Sequence, residues 1–191
     1  MNIIDLSHAI SSHMPVYPGT DPPSITTGCT IEEDGFLEKK IIMFSHTGTH
    51  MDAPAHMIQE SKTLDQFSID HFYGKALLVD VSTSRKSMIE INDLIPVDSI
   101  LKEHEFLLIH TGWSRFWGKD SYYSDYPVLS AEAVEWICRY NLKGFGMDVI
   151  SVDEANSERF PIHRSLLKKD IVIVENLKNL DLVPVPSFTF S

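Results

Sequence analysis

The sequence predicts an α/β domain, residues 1–191 as one unit, with a mixed and partly barrel-like β-sheet core flanked by helices. Three observations carry that expectation. Apolar runs such as "ALLVD", "FLLIH" and "IVIVE" are bounded by polar residues, the pattern of strands buried on both faces. A helical repeat follows Ser130, with Ala133, Ile137 and Tyr140 on one face. An early stretch with Asp34-Gly35 between two strand-like runs reads as an antiparallel hairpin, which makes the sheet mixed.

The elements follow in order. "IIDL" is expected to open as a short strand, and "SSHMPVYPGTDPP", with four prolines and a glycine, is a loop. "SITTGCTIEEDGFLEKKIIMFS" supplies the hairpin, and a histidine-rich segment comes next. "KALLVDVS" and "EFLLIHTG" are buried strands. In "LSAEAVEWICRYNLKG", Ser130 caps the start of a helix and Gly144 is expected to end it. "GFGMDVISVD" is a strand, "HRSLLKKD" a short helical turn, and "IVIVENL" a last buried strand with Glu175 near its end.

Composition excludes several classes of function. With 27 acidic against 16 basic residues the formal charge is -11, so neither nucleic acid nor an anionic membrane is expected as a partner. No run reaches the roughly 18 apolar residues of a membrane span. "MNIIDLSHAI" has no basic n-region and no long apolar stretch, and Cys29 and Cys138 form no CxxC site or disulfide framework. The cytoplasm is the expected compartment.

The segment "HTGTHMDAPAH", His46 to His56, stands apart from this background. "TGT" is a poor helix interior, and Pro54 pushes Ala53 out of the α region. The segment therefore reads as a strand end with a tight irregular turn at Gly48. In extended backbone, His50 and Asp52 fall on the same side. His46 can join them, and His56 approaches from beyond the Pro54 bend. A lone histidine is usually a satisfied polar or core residue, which is the reading for His13, His71, His104 and His110. Three histidines and a carboxylate gathered together are costly to bury unless a cation joins them.

"HTGTHMDAPAH" resembles the HxGTHxDxPxH signature of the cyclase family of metal-dependent hydrolases, which includes bacterial kynurenine formamidase and isatin hydrolase. "DLSH", "PVYPGTDP", "LLIHTGW", "GMDVISVD" and "IVIVENL" resemble further family landmarks in the same order. The resemblance implies a swivelling β/β/α-like fold and two divalent ions per chain, zinc foremost with manganese as the second choice. It implies a first ion on His46, His50 and Asp52, and a second on Asp52, His163 and Glu175. It makes His56 the catalytic acid/base and the protein a homo-oligomer, most simply a dimer. Two such ions would leave a cationic centre able to activate water and polarise a carbonyl, the chemistry of amide hydrolysis and of ring-opening in a cyclic amide.

Some residues keep two readings. Glu175 is a ligand or an exposed strand-end residue. Tyr17 stands where the formamidases carry a tryptophan; it stacks on a small-molecule substrate or packs on the domain. Asp5, His8, Asp148 and Ser151 read as supporting residues, and Trp113 as core or pocket wall. Two functions from different classes remain: a metal-dependent hydrolase of a small linear or cyclic amide, or a non-catalytic metal-binding or metal-sensing protein. His56 separates them, because a binding site alone has no need of it.

Overall fold

In the computed structural model, which describes residues 3–84 and 86–191, the chain is a mixed sheet with helices against it. Met1 and Asn2, part of the N-terminal reading above, lie outside the described residues. The chain runs through β1 (Ser24–Cys29), α1 (Ile31–Asp34), β2 (Glu38–Ile42), β3 (His50–Asp52), β4 (Gly74–Asp80) and β5 (Met88–Ile89). It continues through α2 (Ile91–Leu94), α3 (Asp98–Leu101), β6 (Phe106–His110), β7 (Val128–Leu129) and α4 (Ala131–Ile137). Last come β8 (Gly144–Met147), α5 (Pro161–Leu167), β9 (Val172–Glu175) and β10 (Ser187–Phe190).

Six strands form the main sheet in the order β10-β4-β6-β8-β9-β3. The inner four, β4, β6, β8 and β9, are parallel, and β10 and β3 join antiparallel at the two edges. The sheet is open, so the barrel-like part of the expectation is corrected: edge strands β10 and β3 do not meet. Alternate residues of the central strands feed two cores. Leu77, Val79, Leu107, Ile109, Phe145 and Ile173 face the core shared with α4 and α5, while Ala76, Phe106, Leu108, Val174 and Phe190 build a smaller one on the other face.

Three local expectations change. "IIDL" forms no strand; the Asp5 carboxylate instead accepts from Ser7 N and Ser7 Oγ, turning the chain. The helix after Ser130 is capped as expected, with Ser130 Oγ accepting from Ala133 N, but it ends at Ile137. Gly144 is the first residue of β8, where a Cβ would stand 2.8 Å from the Phe106 ring. β10 has no counterpart in the sequence reading.

The β1–β2 hairpin stands away from the sheet as an arm. All five residues of β2 are exposed, and Phe36, Leu37, Ile41, Ile42 and Phe44 present apolar side chains to solvent.

Candidate active site

The turn from His46 to His56 is built as its residues require. Gly48 has φ +67°, a left-handed conformation, and a Cβ there would lie 2.6 Å from Met14 Cε. β3 begins at His50, so His50 and Asp52 share one side of an extended segment. Pro54 then opens a single 3-10 turn that carries His56 back toward His46. The antiparallel pairing of β3 with β9 sets His50 directly opposite Glu175. α5 delivers His163, the third residue of that helix. The site lies at the carboxyl ends of β8 and β9, where open α/β sheets place their ligands.

The geometry brings all six sequence-selected residues of the cluster together. Asp52 turns Oδ1 to His46 Nδ1 at 2.6 Å and His50 Nε2 at 3.3 Å, and Oδ2 to His163 Nε2 at 3.4 Å. His163 Nε2 also lies 3.3 Å from Glu175 Oε1, and His50 Nε2 is 3.7 Å from Glu175 Oε2. The ligand atoms of His46, Asp52 and His56 lie within 4.8 Å of one another, as do those of His50, Asp52 and Glu175. The His56 ring stacks on His46 at 3.9 Å.

Close approach is not hydrogen bonding here. His50 Nε2 and both oxygens of Asp52 are buried without a hydrogen-bond partner among the described residues. Atoms that crowd together while their lone pairs converge on shared points fit a cation. Tetrahedral ligands about 2.0–2.1 Å from a zinc ion stand about 3.3 Å from one another. The separations of 3.3, 3.4 and 3.3 Å among His50, Asp52, His163 and Glu175 match that spacing. The 2.6 Å approach of His46 is tighter, so the half-exposed His46 ring would retreat slightly around an ion. Imidazole and carboxylate donors without sulfur suit zinc or manganese.

The electrostatics are those of an acidic cluster that draws protons onto its imidazoles where no other cation is present. Burial opposes ionisation of Asp52, but His163, His46 and His50 outweigh it and hold the carboxyl well below its ordinary range. Burial and the Asp52 charge push Glu175 up. Burial works against a charged His163, yet Asp153, Asp52 and Glu175 raise it to about 11. His50 is raised for the same kind of reason: against burial stand Asp52 and Glu175. His56 goes the other way, down to about 4: burial outweighs the pull of Asp52, and the neighbouring imidazoles of His46, His163 and His50 add to the lowering.

A cavity of about 320 Å³ opens over the cluster. Tyr17, Phe44, Met57, Ile150 and Phe160 give it apolar and aromatic walls, and Ser151 adds a hydroxyl. Tyr17 therefore lines the site and remains partly exposed. Phe160 is the helix-capping residue before α5 and has φ 49°, a strained conformation for a bulky side chain. Its ring meets His163 edge-on at 6.0 Å.

Sequence reasoning missed three residues of this site. Asp153 is buried and accepts from Ile162 N, His163 N and His163 Nδ1 at 3.0, 3.0 and 2.7 Å. It thereby holds a proton on Nδ1 and aims Nε2 at Asp52 and Glu175. Asn176 and Phe160 are the others; only the "SVD" and "EN" landmarks pointed near them. Among the supporting residues, Asp148 accepts from Thr111 N and Oγ1 and anchors the loop after β6. Trp113 packs on the larger core.

Comparison with known proteins points to one family. The cyclase family model, described as "Putative cyclase", matches residues 4–154, which include the His46–His56 cluster. The kynurenine formamidase of Geobacillus thermodenitrificans (strain NG80-2) is 30% identical over 176 residues, 91% of this chain and 81% of that protein. The kynurenine formamidase of Erythrobacter litoralis (strain HTCC2594) is 29% identical over 183 residues, 95% of this chain and 81% of that protein. Isatin hydrolase A from Labrenzia aggregata, bound to benzyl benzoate, shares the fold at TM-score 0.86 and 22% identity, with 97% and 84% of the two chains covered. A solved structure described as a potential metal-dependent hydrolase with cyclase activity gives TM-score 0.79 at 27% identity, covering 96% of this chain and 85% of that one.

Proposed function

The chain belongs to the cyclase family of hydrolases, and from that premise we propose that it is a metal-dependent amidohydrolase opening a small linear or cyclic amide at a non-peptide C–N bond. One observation supports this reading above the rest: buried, unpartnered donor atoms of Asp52 and His50 converge beneath an aromatic-walled cavity. The cavity favours a hydrolase over an ion store, because a store needs no room for an organic molecule beside its ligands.

His46, His50 and Asp52 would hold one divalent ion, and Asp52, His163 and Glu175 a second, zinc or manganese. Such ions, when bound, polarise a carbonyl and lower the pKa of water toward neutrality. The chain does the rest. Tyr17, Phe44 and Phe160 receive a flat substrate and exclude water from its faces. His56 is neutral at pH 7, so a ring nitrogen is free to take a proton from the attacking water. The carbonyl carbon gains the water oxygen and the C–N bond breaks. His56 then returns the proton to the departing nitrogen, leaving an amine and a carboxylic acid, which gives up its remaining proton to solvent to become the carboxylate. Asp153 keeps His163 in one tautomer throughout.

The reading extends to assembly and compartment. The exposed apolar face of the β1–β2 arm supports a homo-oligomer, most simply a dimer, because a two-stranded hairpin is marginal when nothing covers it. Light scattering at micromolar concentration should show a species larger than one chain. Both cysteines are free, which suits the cytoplasm, and the 191 residues would act as one domain.

The test of the central reading is a pair of variants on zinc-loaded protein. His56→Ala should keep its metal while losing about 10²–10⁴ in rate on N-formyl aryl amides or isatin-like lactams, the usual contribution of a general acid/base. His46→Ala should lose metal and activity together. If His56→Ala strips the metal, His56 is a ligand and the proton shuttle must be sought elsewhere.

A further inference from the structure

We infer that Asn176 is a positioning residue: a buried latch that sets the tautomer and ring plane of His50 through the Gly48 carbonyl. The inference rests on the proposed metal site and adds a residue to it. Asn176 follows Glu175, is buried, and has φ 57°, a conformation that asparagine tolerates better than most residues. That left-handed step turns the chain off the end of β9 and points the amide across to the His46–His50 turn.

Its hydrogen bonds leave no freedom. Asn176 Nδ2 donates to Gly48 O at 2.9 Å, and Tyr122 Oη donates to Asn176 Oδ1 at 2.7 Å. Asn176 O accepts from Thr49 Oγ1 at 2.6 Å, and Asn176 N donates to Val149 O at 2.9 Å. A carbonyl oxygen only accepts, so the amide nitrogen must face Gly48 and the amide oxygen must face the tyrosine hydroxyl. Tyr122 is itself fully buried, so it anchors the amide to the core.

The consequence falls on His50. His50 Nδ1 lies 2.8 Å from the same Gly48 oxygen, so Nδ1 must carry the proton. Nε2 is then the bare nitrogen, and it is the atom that faces Asp52 and Glu175. Gly48 has φ +67°, a soft glycine link whose peptide could otherwise rotate. Asn176 removes that freedom. His163 is oriented by a carboxylate, Asp153; His50 is oriented by a backbone carbonyl, which needs a second donor to stay in place.

Asn176→Gly tests the latch, because glycine accepts φ 57° and deletes only the amide. Zn²⁺ alone is titrated into metal-free wild type and variant, and the imidazole nitrogens of the metal-free proteins are followed by nitrogen-15 NMR at alkaline pH. The expected result is a Zn²⁺ affinity about 10–100-fold lower, as for other residues that orient metal ligands, with His50 passing from a single Nδ1–H form to a mixture of tautomers. Wild-type affinity together with an unchanged Nδ1–H signal would overturn the inference. Should Asn176→Gly fail to fold, Asn176→Asp keeps the shape and replaces the donor with an oxygen that repels Gly48 O. Its His50 should also become a mixture, and a persistent Nδ1–H form would sink the latch. If wild type itself takes up no Zn²⁺, the metal-site reading fails, while the tautomer measurement still judges Asn176.

Discussion

Replacing Asp153 with alanine should injure the protein twice, and the two injuries can be sized. Asp153 Oδ1 accepts from Ile162 N, and Oδ2 accepts from His163 N and Nδ1. The first two bonds cap α5, whose own capping residue, Phe160, supplies no side-chain acceptor. A lost helix cap costs about 1 kcal/mol. The third is a bond between a carboxylate and an imidazole held protonated in the metal-free protein, worth about 1.5–3 kcal/mol. Together they come to about 3 kcal/mol, which for a chain of 191 residues lowers Tm by about 6–12 °C. The assay is thermal unfolding of metal-free wild type, Asp153→Ala and Asp153→Asn. The asparagine variant keeps an acceptor for one backbone N–H but loses the charge, so it should fall between the other two. Zinc affinity should drop by about 10–100-fold in the alanine variant, because His163 Nε2 is no longer aimed. A metal-free Asp153→Ala that melts within about 2 °C of wild type would refute both the capping and the ion-pair reasoning.

Three further outcomes follow from the site. Metal-free protein should lose stability as pH rises from 6.5 toward 11: His163 has its pKa raised from 6.5 to about 11, so its contribution is complete below 6.5 and disappears through that window. His163→Gln should flatten the slope in thermal melts across that range, and an unchanged slope would remove His163 as its source. At the acid end the sign reverses for Asp52, whose depressed pKa gives stability present above 3.8 and lost as pH falls below it. Loading zinc near pH 7 should release protons, since the ion replaces the proton on His163; calorimetry in two buffers of different ionisation enthalpy measures the number, and zero would contradict the assigned ligand. Phe160→Gly should relieve a backbone strain of about 1–2 kcal/mol at φ 49° while removing a cavity wall, so kcat/KM should fall with Tm unchanged or higher. A large drop in Tm with normal kinetics would make Phe160 a packing residue.

What the sequence could disclose depended on how far apart the partners lie along the chain. His46, His50, Asp52 and His56 fall within one turn, and the Gly48 and Pro54 that shape it are visible beside them, so their convergence follows from local backbone rules. The buried parallel strands were legible for the same reason, as apolar runs whose alternate residues serve two cores. Helix α4 was legible at its capped start but not at its end. It stops at Ile137, well before Gly144, which instead enters β8 against the Phe106 ring, and Phe106 belongs to another strand. His163 and Glu175 needed the family resemblance. Only the β3–β9 register sets Glu175 opposite His50, and nothing local to "IVIVENL" states that register. For Asp153 and Asn176 the sequence offered only the neighbouring "SVD" and "EN" landmarks, and no role. One is ten residues from the imidazole it orients and the other 128 from the carbonyl it holds. Each looks like an ordinary polar residue at a strand end. The ligands are thus the readable part of this site and the groups that aim them are the hidden part, because a ligand is chosen for its own donor atom, whereas an aiming residue is chosen for a geometry that exists only after the sheet has paired.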